Sequence, residues 1–218
     1  MYGDVTPRQT HPRADWTLAG ERSHVVQFYD EDDRLIDLLA RYTGTALVSG
    51  ESAIVVATAG HRRRLAARLE ARGLEIAVPR RQGRYLPVDA ATVVARSTAR
   101  RGFDVNRFEK AMGALVERAA RASAHGRVAV FGEVVALLWA ANRRDVALRI
   151  EAAWNDLARQ HDFSLCCAYP MTHFGSGEHA APFLQICAQH SHVFPATTSS
   201  SSPRSAPSAS SSSRRRPS

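Results

Sequence analysis

The residues best placed to do chemistry in this chain stand immediately after short apolar runs. Phe28-Tyr29-Asp30, Thr58-Ala59-Gly60, Asp89, Gly132-Glu133 and Ala168-Tyr169-Pro170 each close such a run. In an open α/β sheet, ligands sit outside the carboxyl ends of the strands, so these are the positions a pocket would use. Aromatic rings mixed with a few polar groups are also the composition of a small-molecule pocket. Each residue has a purely structural reading as well: Asp30 as a helix cap, Asp89 as a cap or turn residue, Tyr169 as a packed ring. Glu133 is the sharpest signal. It follows Val128-Ala129-Val130-Phe131-Gly132, and the glycine lets the backbone turn sharply and deliver a carboxylate to the strand end. In a nucleotide hydrolase such an acid would hold magnesium or orient water. In a plain helix it would only favour the positive end of the dipole.

Other chemistries lack their residues. No G-x-x-x-x-G-K-[ST] occurs, and the only lysine, Lys110, lies within a helical pattern; a phosphate cradle needs glycine-allowed amides and a lysine charge. No G-x-G-x-x-G follows the first strand, which argues against dinucleotide binding. Nine histidines include His190-x-His192, His161, His173 and His179, with no H-E-x-x-H and no paired CxxC, so neither a metal site nor another cofactor is expected. Cys166 and Cys167 are adjacent in an apolar run and must face opposite sides of a strand. They read as small hydrophobes, one of them on the pocket side. Gly175-Ser176-Gly177 lacks the G-x-S-x-G elbow of a serine hydrolase. No catalytic residue is assigned.

The elements that must position these residues follow from periodicity. Strands are expected at His24–Tyr29, Ser52–Thr58, Arg84–Val88, Arg127–Phe131 and Phe163–Ala168, alternating with segments of helical period, the pattern of βα units and a parallel sheet. The first helix is expected to start at Asp30 as its cap, ahead of Glu31, Asp32 and Asp33. Its stripe is Leu35, Leu38, Leu39, Tyr42 and Ala46. A second, from His61 to Arg72, turns Leu65 and Leu69 inward and Arg62, Arg63, Arg64 and Arg68 mostly outward, with Gly73 closing it. A third starts at Asp104 and buries Val105, Phe108, Met112, Leu115, Val116 and Ala119. Two more follow Gly132 and Asn142 and carry Trp139 and Trp154 into the core. The fold class is therefore α/β: a three-layer, mostly parallel open sheet of at least five strands with helices on both faces.

The 218 residues carry a net charge of +8, of which Arg204, Arg214, Arg215 and Arg216 supply half. These lie in a Ser/Pro/Arg tail, 195–218, too poor in apolar residues to fold. The remaining excess is mild for its length, and nucleic-acid binding is not indicated. No apolar run is long enough to cross a bilayer, so membrane insertion is not expected, and residues 1–20 lack the pattern of a signal peptide. A cytoplasmic location with reduced thiols is expected. The organisation is read as a flexible segment 1–20, a domain 21–180, an extension 181–194 and the tail.

Four separated strings resemble one family: His24-Val25-Val26-Gln27-Phe28-Tyr29-Asp30-Glu31-Asp32, the run from Gly50 to Thr58, RVAVFGEVVALLW from Arg127 to Trp139, and Ser164-Leu165-Cys166-Cys167-Ala168-Tyr169-Pro170. In this order they resemble the MEDS domain, a methanogen/methylotroph DcmR-type sensory domain, over about residues 22–175. The resemblance implies a RecA/KaiC-like fold without the phosphate-binding motifs. It also implies a signal-input role, with hydrocarbon derivatives as proposed ligands and a histidine kinase or transcription regulator as partner. Carried over by motif, the ligand-binding candidates are His24, Phe28, Tyr29, Glu133 and Tyr169, to which the strand-end reading adds Thr58. The leading expectation is a non-enzymatic small-molecule sensor, with a homo-oligomer allowed. The alternatives are a degenerate nucleotide-binding or weakly ATP-hydrolysing protein that uses Glu133 and an arginine near His61, and a ligand-free interaction module whose arginines meet an acidic partner.

Overall fold

The computed structural model describes residues 22–100, 102–174 and 180–196. The terminal segment 1–20, the tail from residue 197 onward, Gly175-Ser176-Gly177 and His179 lie outside the described residues. The chain runs β1 (His24–Tyr29), α1 (Asp32–Val48), β2 (Ser52–Ala57), α2 (Ala59–Ala71), α3 (Ala77–Arg81), β3 (Tyr85–Asp89), α4 (Ala90–Arg96), β4 (Thr98–Ala99) and β5 (Gly102–Phe103). It continues through α5 (Val105–Ala122), β6 (Val128–Gly132), α6 (Val134–Ala140), α7 (Arg144–Gln160), β7 (Phe163–Pro170), a 3-10 turn over Met171–Phe174, α8 (Ala180–Ala188) and β8 (His192–Phe194). Six strands form one parallel sheet in the order β3-β2-β6-β7-β1-β8, and β4 and β5 make a small antiparallel hairpin.

The strands are almost wholly apolar because both faces of a parallel sheet are covered. Val25, Tyr29, Val55, Phe131 and Cys166 face the layer of α1 and α2. Val26, Phe28, Val56, Val130, Cys167 and Tyr169 face α5, α6 and α7. The three-layer α/β class read from the sequence is the class observed, and the two cysteines do face opposite layers. Trp139 and Trp154 are both buried.

Two local expectations are corrected. Helix α1 starts at Asp32, not Asp30: the amides of Arg34 and Leu35 donate to the carbonyl of Glu31, which makes Glu31 the N-cap. Its buried stripe adds Ile36, Ala40, Thr43 and Leu47, while Leu38 and Tyr42 are only half buried. The Tyr42 hydroxyl instead donates to the Ser164 carbonyl at 3.0 Å. The arginines of α2 are indeed largely outward, but they meet the acids of α1. Arg64 pairs with Asp32 at 2.9 Å and Asp33 at 2.7 Å, and Arg68 and Arg72 both reach Asp37. The acids read as dipole partners therefore also clamp α1 to α2.

The connections fix where a site can form. From β2 the chain leaves through α2 on one face toward β3. From β6 it leaves through α6 on the other face toward β7. Strand exits that diverge in this way open a crevice between their carboxyl ends.

Candidate functional site at the diverging strand ends

The register Val56↔Gly132 sets the exits of β2 and β6 side by side. The Glu133 amide donates to the Val56 carbonyl at 2.9 Å. Its carboxylate folds back, so that Oε2 accepts the Thr58 amide at 2.7 Å. Thr58 is the N-cap of α2, and its hydroxyl accepts the His61 amide at 3.3 Å. The His61 ring stands between two carboxylates, with Nδ1 2.8 Å from Glu133 Oε1 and Nε2 3.3 Å from Asp32 Oδ2. The Tyr29 ring meets it edge-on, with centroids 6.5 Å apart. A polar latch thus joins the ends of β1, β2 and β6 to the first turns of α1 and α2. Along α2 from the latch, Ala59, Arg62, Arg63, Ile76, Arg80 and Tyr85 line a cleft of about 370 Å³ between α2, α3 and β3, which none of the latch side chains lines.

The electrostatics follow from this geometry. Hydrogen bonding to Glu133 raises the His61 pKa against the opposing effect of burial, and Asp32 adds to the rise. Burial, then the charges of Glu133 and Asp32, push the Tyr29 hydroxyl far up, so it stays a neutral phenol. Asp89 caps α4 by accepting the Thr92 amide, and that bond, with Arg62 at 2.5 Å, holds its carboxyl below the usual range. A histidine whose folded pKa is raised contributes stability that is complete below its unfolded value and lost as pH rises through the folded value. The stability difference between wild type and His61→Gln is therefore expected to shrink as urea titrations move from about pH 5.5 to about pH 9. A difference that stays constant or grows over that span would contradict the pairing with Glu133 and Asp32.

The sequence candidates divide between the two faces of the sheet. Tyr29, Thr58 and Glu133 meet at the latch. His24 and Tyr169 lie on the opposite face around Glu151 of α7, a fully buried carboxylate: the Tyr169 hydroxyl donates to Oε1 at 2.7 Å, and His24 Nε2 stands 3.3 Å from Oε2. Phe28 is on that same face in an aromatic cluster with Tyr169, Phe174 and Phe183, at centroid distances of 6.1, 5.5 and 4.8 Å. His61, Asp32 and Glu151 were missed by sequence reasoning. His61 and Asp32 begin helices, and only the packing of α1 on α2 brings them to the strand ends. Glu151 did leave a signal: it is a lone acid inside the apolar stripe of Ala147, Ile150 and Trp154.

Both oxygens of Glu133 are engaged by Thr58 and His61, which differs from a carboxylate presented to a nucleotide-bound metal. Cys166 and Cys167 are fully buried, and burial pushes both thiols well up, as does the nearby Glu151 carboxylate. They are not activated nucleophiles.

Comparison with known proteins follows this geometry. Among curated proteins none matches the chain significantly. Solved structures of similar shape include a KaiC-like protein from the hyperthermophilic archaeon Pyrococcus horikoshii OT3, at 14% identity and a TM-score of 0.48 over 68% of this chain and 63% of that one. The chain thus spans less than two thirds of that protein's length. Among the described residues no helix is long and apolar enough to cross a membrane. The sequence profile described as MEthanogen/methylotroph, DcmR Sensory domain matches residues 23–183. With that match over most of its length, the chain belongs to the MEDS family of sensory domains.

Proposed function

We propose that the protein is a non-enzymatic signal-input domain that binds a small molecule at the carboxyl edge of its sheet and relays its occupancy to a regulatory partner, a histidine kinase or a transcription regulator. The observation that carries this reading is the clamp on His61: one imidazole ties Asp32 of α1 and Glu133, at the exit of β6, to the first turn of α2, whose following residues line an open cleft. A ligand that competes for any member of this clamp, or inserts against Tyr29, changes how α2 is held. The resulting shift between two arrangements is a signal in its own right. Membership of a sensory family supports the reading, and the engagement of both Glu133 oxygens argues against hydrolysis.

The test is thermal unfolding of the full chain with short-chain alcohols, amines and halogenated hydrocarbons, and in parallel with magnesium and ATP. A compound at 100 times its dissociation constant adds about 2.7 kcal/mol of stability, a readable rise in midpoint. A saturable shift with an organic compound, lost in Tyr29→Ala and Glu133→Gln, is the expected result. A shift that persists in both variants places the ligand elsewhere. Phosphate release from ATP that depends on Glu133 would replace the sensor with a hydrolase. The arginines of the cleft make a saturable nucleotide shift without release the second reading, that of a nucleotide sensor.

A further inference from the structure

On the face of the sheet opposite the latch, His24, Glu151, Cys167 and His190 bring four potential ligand atoms within 4.8 Å of one another. They come from the start of β1, the middle of α7, the middle of β7 and the turn between α8 and β8. Cys167 Sγ lies 3.2 Å from Glu151 Oε2 and 3.5 Å from His24 Nε2. His24 Nε2 and His190 Nε2 lie 3.3 and 3.5 Å from that same oxygen. In a tetrahedral zinc site with bonds of about 2.0–2.3 Å, ligand atoms stand roughly 3.3–3.8 Å apart. Three of these four separations fall within that span and the Cys167 Sγ–Glu151 Oε2 contact is slightly shorter, while the two remaining edges, from His190 to His24 and to Cys167, are no longer than 4.8 Å.

The outer contacts fix the tautomers. His24 Nδ1 is 2.9 Å from Asn155 Oδ1, and that oxygen is set as an acceptor because Asn155 Nδ2 donates to the Gln189 carbonyl at 3.0 Å. His190 Nδ1 is 2.7 Å from the Ile186 carbonyl. Both Nδ1 atoms therefore donate, and in the neutral rings both Nε2 lone pairs face the Glu151 carboxylate. The His190 side chain is fully buried, and among the described residues its Nε2 has no hydrogen-bond partner. Lone pairs converging in an apolar interior repel unless a cation lies among them. A hydrogen bond from each imidazole to a backbone or amide carbonyl is also the usual support of a metal-ligating histidine.

We propose that His24, Glu151, Cys167 and His190 form a four-ligand site for one divalent late transition-metal ion of the zinc class. One carboxylate, one thiolate and two neutral imidazoles balance a dication, so the buried complex carries no net charge. Binding forms one bond to each ligand atom and releases the Cys167 proton to solvent. Four protein ligands leave no open position, which is the pattern of a structural rather than a catalytic site. The consequence lies in His190: the ion fastens the α8–β8 segment, and with it the edge strand β8, to the body of the sheet. The ligands are separated in sequence by 143 residues between His24 and Cys167, so no spacing motif announces them.

The test uses the full chain, stripped with a chelator and titrated with Zn²⁺ and with Co²⁺. One ion per chain is expected, with the Co²⁺ form showing the intense d–d absorption of tetrahedral cobalt and a thiolate-to-cobalt charge-transfer band. Cys167→Ser removes the charge-transfer band, and His190→Gln weakens binding at least about tenfold. His192→Ala leaves stoichiometry and spectrum unchanged. Should either ligand variant fail to fold, the wild-type band must survive Cys166→Ser and Cys187→Ser, which leaves Cys167 as its source. Absence of stoichiometric uptake by the wild type overturns the proposal and leaves a protonated imidazole as the cation. So does uptake that is unchanged in both Cys167→Ser and His190→Gln.

Discussion

Replacing Glu151 with alanine is expected to destabilise the chain by about 3–5 kcal/mol, the range for removing one partner from a buried ionic network. The carboxylate is fully buried and accepts from the Tyr169 hydroxyl and the Cys167 thiol while facing His24 and His190. Its removal therefore strands two donors and two ring nitrogens in the interior. Glu151→Gln keeps an acceptor for Tyr169 and is expected to lose less, about 1–3 kcal/mol. Urea unfolding of the three proteins checks both values. A loss under about 1 kcal/mol for the alanine variant would mean that the network is not held together by this carboxylate.

The second large effect is expected at Trp154. Its side chain is 2% exposed and meets Phe108 edge-on at 5.3 Å and Phe163 at 6.0 Å, which joins α5, α7 and β7. A β-carbon built on Gly132 would lie 3.7 Å from its indole nitrogen, so the ring also packs against the end of β6 just before Glu133. Trp154→Ala loses the transfer energy of a fully buried indole and leaves a cavity, about 3–5 kcal/mol. Trp154→Phe preserves most of the ring and is expected to cost clearly less. Equal losses for the two variants would show that ring volume is not what seats α7 on the sheet.

Much of the fold was legible because each βα unit carries its own periodicity. The five read strands reappear within a residue or two, and α5 begins within a residue of Asp104, which is its N-cap and accepts the Arg107 amide at 3.1 Å. Strand β8 was not legible: three residues on a sheet edge, with Val193 41% exposed, leave no apolar run to detect. Short elements such as α3 and the β4–β5 hairpin were missed for the same reason. At the candidate site, Tyr29, Thr58 and Glu133 could be read as neighbours because parallel strands end at one edge. Their partners His61 and Asp32 could not, since helix packing rather than strand order brings them in. The Glu151 cluster was still less legible, because its members share no element and meet only through the crossing of α7 over β1 and β7.

The latch is an input element only if it can open while the rest of the fold stays closed. Hydrogen exchange of the full chain, resolved at the Thr58 and His61 amides, measures this directly when wild type is compared with Glu133→Ala. Faster exchange confined to Thr58 and the first turn of α2, with β1, β6 and α7 still protected, is the predicted result. Unchanged exchange at Thr58 would contradict the latch. Acceleration spread evenly over the sheet would contradict its independence, and with it the proposed means of signalling.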